Sequence, residues 1–317
     1  MNELNRSIPC VDGHVDLVYD LMRRYPRTPF PDCGDGHVTL DKLQAARVVA
    51  FVTALYCPDI HNGPGIAKAY LEDLFHYART YLNGVQRIRT RKDLENSYSG
   101  DGPPGTFFLL ENADALVDFS IETLAGNGVK AVGLTHAGSN RLGDGNAVAA
   151  PRGLKPAGKR LLEELGRKGF ALDVAHLSEP CFLEAVDLFE GPLLSSHTGF
   201  RFFCDSPRNL TAQQTKILLE RDGMIGMSIN PEMLSRDARA GIEDVIRQVD
   251  WFVQRHGASH LGIGTDFGGF DVINLGLEDI SKIPVVAERL FGLGYSPDAV
   301  RDIMGVNWVR FYSRLFD

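Results

Sequence analysis

The sequence predicts a (β/α)8, TIM-like barrel, and three observations carry that expectation. Eight short runs rich in β-branched or aromatic residues recur along the 317 residues, each bounded by Gly, Pro or polar clusters. Helix-period segments lie between most of them, and strands alternating with helices imply a parallel sheet. Polar side chains suited to binding a metal stand at the ends of strands one, three, four, five, six and eight. A closed barrel gathers its active-site groups at those carboxyl ends.

Ile8 to Val15 is the first expected strand, and Val48 to Tyr56 the second. The connection from Cys57 to Gly105 is the longest. It holds one helix near Ile66 to Leu82 and a Gly/Pro-rich exit, Asp101-Gly102-Pro103-Pro104-Gly105. It reads as a mouth insertion between strands 2 and 3. Thr106 to Leu110 and Ala131 to Thr135 follow as strands three and four. In the next helix, Pro156 to Lys168, Leu161, Leu162 and Leu165 form one stripe, with Lys159, Arg160, Glu163 and Glu164 facing away. Ala171 to Ala175 is strand five, and Ser178-Glu179-Pro180 starts a helix with Ser as N-cap. Leu193 to Ser196, Met224 to Ile229 and Leu261 to Thr265 complete the set, separated by helices over Thr211 to Glu220 and Ile242 to His256. Ser296-Pro297 opens a C-terminal helix. Residues 1–317 are expected to form one domain. An open sheet binding a dinucleotide would need Gly-x-Gly-x-x-Gly after its first strand, and none is there.

Composition narrows the function. The net charge of −8 offers no basic field for phosphates, so nucleic acid is not an expected partner. No apolar stretch approaches the ~20 residues that span a bilayer. Met1-Asn2-Glu3-Leu4-Asn5-Arg6 lacks the apolar core of a signal peptide, so no membrane contact and a cytoplasmic location are expected. The five cysteines are scattered, with no Cys-x-x-Cys, so cysteine is not the expected metal ligand.

His14 and Asp16 lie two residues apart, so on a strand they leave the same face of the backbone. Glu111, His136, His176, His197 and Asp266 each end or follow an apolar run and would project from the barrel rim. His37, His61, His76, His256 and His260 lack that context and read as ordinary polar side chains. A carboxylate at Glu111 is costly to bury without a cation, and a metal supplies one. Arg208, in Ser206-Pro207-Arg208-Asn209-Leu210-Thr211, reads equally well as a surface ion-pairing residue. Two imidazoles and a carboxylate hold one zinc ion with water in the remaining position. The set present exceeds one tetrahedral site, and a Glu can bridge two ions that activate a shared water. Hydrolysis of an amide, ester or phosphate is the chemistry this favours, and no Gly-x-Ser-x-Gly or Cys-His context competes.

Seven segments in order resemble the membrane (renal) dipeptidase family of the amidohydrolase superfamily. They are Asp12-Gly13-His14-Val15-Asp16-Leu17, Leu134 to Asn140 with Leu142-Gly143-Asp144-Gly145, and Leu172-Asp173-Val174-Ala175-His176-Leu177-Ser178. Ser196-His197-Thr198-Gly199-Phe200-Arg201, Pro207-Arg208-Asn209-Leu210-Thr211, Gly262 to Phe267 and Gly305-Val306-Asn307-Trp308-Val309-Arg310 complete them. The resemblance implies that His14 and Asp16 hold one zinc ion, that His176 and His197 hold a second, and that Glu111 bridges the two. It implies further that His136 contacts the scissile carbonyl, that Arg208 grips the substrate carboxylate and that Asp266 moves protons. The sequence departs from the family beside these positions: Asn112 replaces the glycine after the bridging Glu, Ser206 a His, and Gly268 an Asp.

The resemblance implies two divalent metal ions, most fittingly Zn2+, and hydrolysis of short L,L- or L,D-dipeptides by a hydroxide bridging them. Dimerisation is a family expectation. The alternatives are an amidohydrolase acting on another small amide, such as an N-acyl amino acid or a lactam, and a metal-binding protein without turnover. Asp266 speaks against the last, because the metals do not need it in this scheme.

Overall fold

The computed structural model describes residues 8–100, 102–236, 240–272 and 274–316. The Met1–Arg6 segment and Asp101 of the expected exit lie outside them. Eight parallel strands close on themselves: β1 Cys10–Val15, β2 Val48–Tyr56, β3 Gly105–Glu111, β4 Val129–Gly133, β5 Ala171–Asp173, β6 Leu193–Thr198, β7 Met224–Met227 and β8 Leu261–Ile263. Each pairs with the next, and Asp12 of β1 pairs with Ile263 of β8 to seal the barrel. Every expected strand is present. Several are shorter at their carboxyl ends, because His136, His176 and Asp266 sit in loops just beyond the last ladder pair. Among the described residues, no helix is long and apolar enough to cross a membrane.

Strand alternation divides the apolar residues between two layers. Phe107 and Leu109 of β3 point into the barrel with Ala50, Val52, Ala171 and Leu194. Phe108 and Leu110 point outward to the helices. The same period of two brings Glu111, next in the Phe107–Leu109 series, to the inside of the mouth. The barrel is plugged from below by Trp308, on the helix Asn307–Tyr312, whose indole N–H donates to Ile263 O at 2.8 Å. A Cβ on Gly13 or Gly262 would collide with that indole, so both strands need glycine there.

The Cys57–Gly105 connection divides into two parts. Its first residues, with the turn Asp59–His61, stay at the mouth; the helix Ile66–Tyr81 then packs in the outer ring. Gln86–Arg87 pairs with the first residues of β3, and the helix Arg91–Ser99 packs near Trp308's helix at the barrel floor. That second helix had no clear apolar stripe in the sequence. It is fixed instead by a Thr90–Asp93 capping box and by burial of Leu94. The expected N-cap at Ser178 keeps its extended backbone but makes no capping hydrogen bond.

Candidate metal centre and active site

Six strand ends deliver the site. His14 is the penultimate residue of β1 and Asp16 follows the strand; Glu111 closes β3 and His197 lies in β6. Ladder slips between Asp12 and Val15, and between Ser195 and Thr198, break the alternation where these histidines turn inward. Further strain is concentrated here. Asn112, His176 and Asp266 have φ of 66°, 64° and 68°, in the left-handed region costly to non-glycine residues.

The carboxylate of Glu111 lies between two groups of candidate metal donors. Its Oε2 is 3.6 Å from His14 Nε2, which is 3.5 Å from Asp16 Oδ2. Its Oε1 is 2.7 Å from His176 Nε2 and 3.8 Å from His197 Nε2. The two latter nitrogens are 3.1 Å apart. All five side chains are buried or nearly so, and His14 Nε2 and Asp16 Oδ1 are buried without a hydrogen-bond partner. Electron-pair donors orphaned in this way fit a divalent cation, since burying them otherwise costs several kcal/mol, about 1–3 for each neutral group and more for each charge.

The charges confirm how tightly the groups interact. Burial disfavours a charged His14, but Asp16 and Glu111 outweigh it and raise its pKa well above the usual value. Glu111 is pulled well below the carboxylate range, because His14 and His176 outweigh its burial. Burial, with Arg208 close by, depresses His176; burial and His14 depress His197. Both are thus held toward the neutral form, in which an imidazole has a lone pair to offer. Burial and the charge of Asp16 raise Asp266 well above the carboxylate range.

The remaining expected residues surround this centre. Asp266 Oδ1 is 3.9 Å from His197 Nε2, while Oδ2 accepts from Asn230 Nδ2 at 2.9 Å. Asp266 also lies with His14 and Asp16 in a group whose ligating atoms fall within 4.8 Å. His136, partly exposed, packs its ring 4.4 Å from His176 and 4.7 Å from Tyr56. Its Nδ1 lies 3.2 Å from Asp59 Oδ2, which also accepts from Gly138 N. Arg208 is half-buried and turned in toward β6. Nη2 donates to His197 O at 2.7 Å, and Nε is buried without a protein partner.

Several contributors escaped the sequence analysis. Asp12 accepts from His14 N, Thr265 N and Thr265 Oγ1; Asp173 accepts from Ala175 N, Ser196 N and Ser196 Oγ. One brace therefore occurs twice, each Asp tying its strand end to the neighbouring strand. The signal was an Asp two residues before His14 and three before His176. Asn112 has the backbone conformation that glycine adopts most cheaply, and its side chain uses the position. Nδ2 donates to Cys57 O and Asn62 Oδ1, and Oδ1 accepts from Asn140, joining three mouth loops.

The membrane dipeptidase family, peptidase family M19, matches residues 1–315 by its sequence profile. A dipeptidase of Claviceps purpurea, tcpJ, is 28% identical over 96% of this chain and 77% of its own length. Human dipeptidase 3 is 24% identical over 98% of this chain and 66% of its own. Among solved structures, dipeptidase AC, an M19 metallo peptidase, superimposes with a TM-score of 0.85 at 26% identity, covering 98% of this chain and 99% of that one. A metallo peptidase from Rhodobacter sphaeroides, liganded with a phosphinate mimic of L-Ala-D-Ala, shares the fold with a TM-score of 0.87 at 24% identity, over 98% and 99% of the chains. A barrel whose strand ends converge on buried imidazoles and carboxylates, matched along nearly its whole length, places this chain in the membrane dipeptidase family of metal-dependent hydrolases.

Proposed function

We propose that the chain is a dipeptidase that binds two divalent ions, most fittingly zinc, in donor sets His14–Asp16 and His176–His197 joined by Glu111. The observation that carries this reading is the division of Glu111, with one oxygen toward each set. A single ion could not use both oxygens in that arrangement and still reach all four other donors. When bound, such a pair supplies a Lewis acid for the scissile carbonyl and a water whose pKa falls toward roughly 7.

The chain's own groups do the rest. With Nδ1 taken by Asp59, His136 has Nε2 left for the substrate and, when protonated there, donates to the developing oxyanion. Asp266, raised in pKa and held by Asn230, takes the proton from the attacking water and returns it to the departing amine. Arg208 offers its unpaired Nε to the free C-terminal carboxylate, the feature that distinguishes a dipeptide from a longer chain. The named dipeptidases among the relatives support this substrate class. The dipeptide mimic held by the Rhodobacter structure agrees with an L,D-pair. A panel of L,L- and L,D-dipeptides, with N-acyl amino acids and lactams as controls, tests the reading. Turnover confined to the controls would replace it with the broader amidohydrolase.

A further inference from the structure

Behind the ligating nitrogens lies one hydroxyl that contacts both donor sets. Ser196 Oγ is 3.0 Å from His14 Nδ1, 2.8 Å from His197 Nδ1 and 2.6 Å from Asp173 Oδ2. Asp173, His14 and His197 could by themselves be taken for a metal triad, since their ligating atoms fall within 4.8 Å. The Ser196 hydroxyl stands among them, so the Nδ1 edges are already used.

Proton counting then decides the direction of every bond. A serine hydroxyl has one proton to donate and two lone pairs. The carboxylate of Asp173 is fixed by two backbone donors on Oδ1, Ala175 N at 3.1 Å and Ser196 N at 2.9 Å, which aims Oδ2 at the hydroxyl. The short 2.6 Å contact takes the serine proton, as a charge-assisted bond does. Both lone pairs are left for the imidazoles, so each ring must carry its proton on Nδ1. In the neutral ring that a metal requires, each Nε2 lone pair is then the one left for the centre.

We infer that Ser196, held by Asp173, is a positioning residue that fixes the tautomer of one metal ligand in each donor set and so couples the affinities of the two sites. The inference rests on the ligand assignment proposed above. His176 serves as an internal contrast, because its Nδ1 makes no protein hydrogen bond and does not touch Ser196.

The test is zinc affinity of the full chain, measured by competition with a chromophoric chelator and independent of turnover. Ser196→Ala should weaken both ions, each by about 10–100-fold, the usual effect of losing a ligand's supporting hydrogen bond. Asp173→Asn acts differently. With Oδ1 kept in place by its two backbone donors, the new amide N–H points at Ser196, whose proton must turn to one imidazole. That ring then protonates on Nε2, and one ion should loosen much more than the other. In 15N-histidine spectra of the zinc-loaded wild type, His14 and His197 should both show slowly exchanging Nδ1 protons, lost in Ser196→Ala. Wild-type zinc constants in a folded Ser196→Ala overturn the inference while leaving the two-metal reading intact. So does metal bound at Nδ1 of either ring, a result available from the wild type should the variants not fold. Wild-type protein that binds no zinc overturns both.

Discussion

Replacing Arg208 by Met asks whether this enzyme measures the end of its substrate. The side chain is half-buried with Nε fully enclosed, and this burial depresses its pKa despite nearby Asp266 and Glu111. Nη2 is committed to His197 O, and Nε, which has no protein partner, is the donor that the proposed function assigns to the substrate carboxylate. Truncating one partner of a buried, hydrogen-bonded charge pair costs about 2–5 kcal/mol. Because part of the fork serves His197 with or without substrate, roughly 2–4 kcal/mol is assigned to the carboxylate. At 1.36 kcal/mol per decade, kcat/KM for a free dipeptide should fall roughly 30- to 900-fold. The same variant should lose little on the C-terminal amide of that dipeptide, which has no carboxylate to lose. Arg208→Lys should fall between the two, since an ammonium keeps the charge without the fork. The assay is kcat/KM on a matched acid–amide pair, with metal content measured in parallel. An equal loss on acid and amide would refute the reasoning and leave Arg208 as a brace for the His197 backbone.

Other expectations follow from the same geometry. Asp266→Asn should retain its metal and lose about 10²–10⁴-fold in kcat, the range for a positioned acid–base group; wild-type kcat in a metal-loaded variant would reassign the proton shuttle. Asp59→Asn should lower kcat more than it raises KM, by the order of one hydrogen bond to a charged group, about 1.5–3 kcal/mol. Unchanged kinetics would free His136 from that role. Acid stability gives a fourth check. Burial raises Asp279, but Ser281 and the Lys42 contact at 2.9 Å outweigh it and depress its carboxyl, and Arg152 N and Ser139 do the same for Asp144. A depressed carboxyl stabilises the fold fully above its unfolded pKa of about 3.9 and loses that contribution as pH falls through the folded value. Unfolding midpoints should therefore drop below about pH 4, and Asp279→Asn should flatten that decline. An identical acid limb in the variant would remove Asp279 from the explanation.

The barrel was legible because its strands are short apolar runs and its helices carry plain amphipathic stripes. The candidate donors were legible because they stand at strand ends, where sequence position and side-chain chemistry coincide. What escaped was set by backbone conformation and by contacts between distant segments. The ladder slips near His14 and His197 override the period of two, so Ser196 and His197, adjacent in sequence, both face the site. Asp59 reaches His136 across 77 positions, and Asp12 reaches Thr265 across 253, distances over which no local pattern speaks. Arg208 read evenly as surface or site because its burial comes from the surrounding loops. Gly268, where the family usually has Asp, has φ of 94° and leaves 2.8 Å between a would-be Cβ and Asp16 O. A side chain there would be strained against the backbone of Asp16.

Activity against added zinc tests the central claim most directly. Metal-free protein should release no amino acids from a dipeptide, gain activity as Zn2+ is added, and reach its plateau at two equivalents per chain. Glu111→Gln, which weakens the shared ligand, should need a large excess to approach any plateau. A wild-type plateau at one equivalent, or full dipeptide hydrolysis by the metal-free chain, would contradict the account.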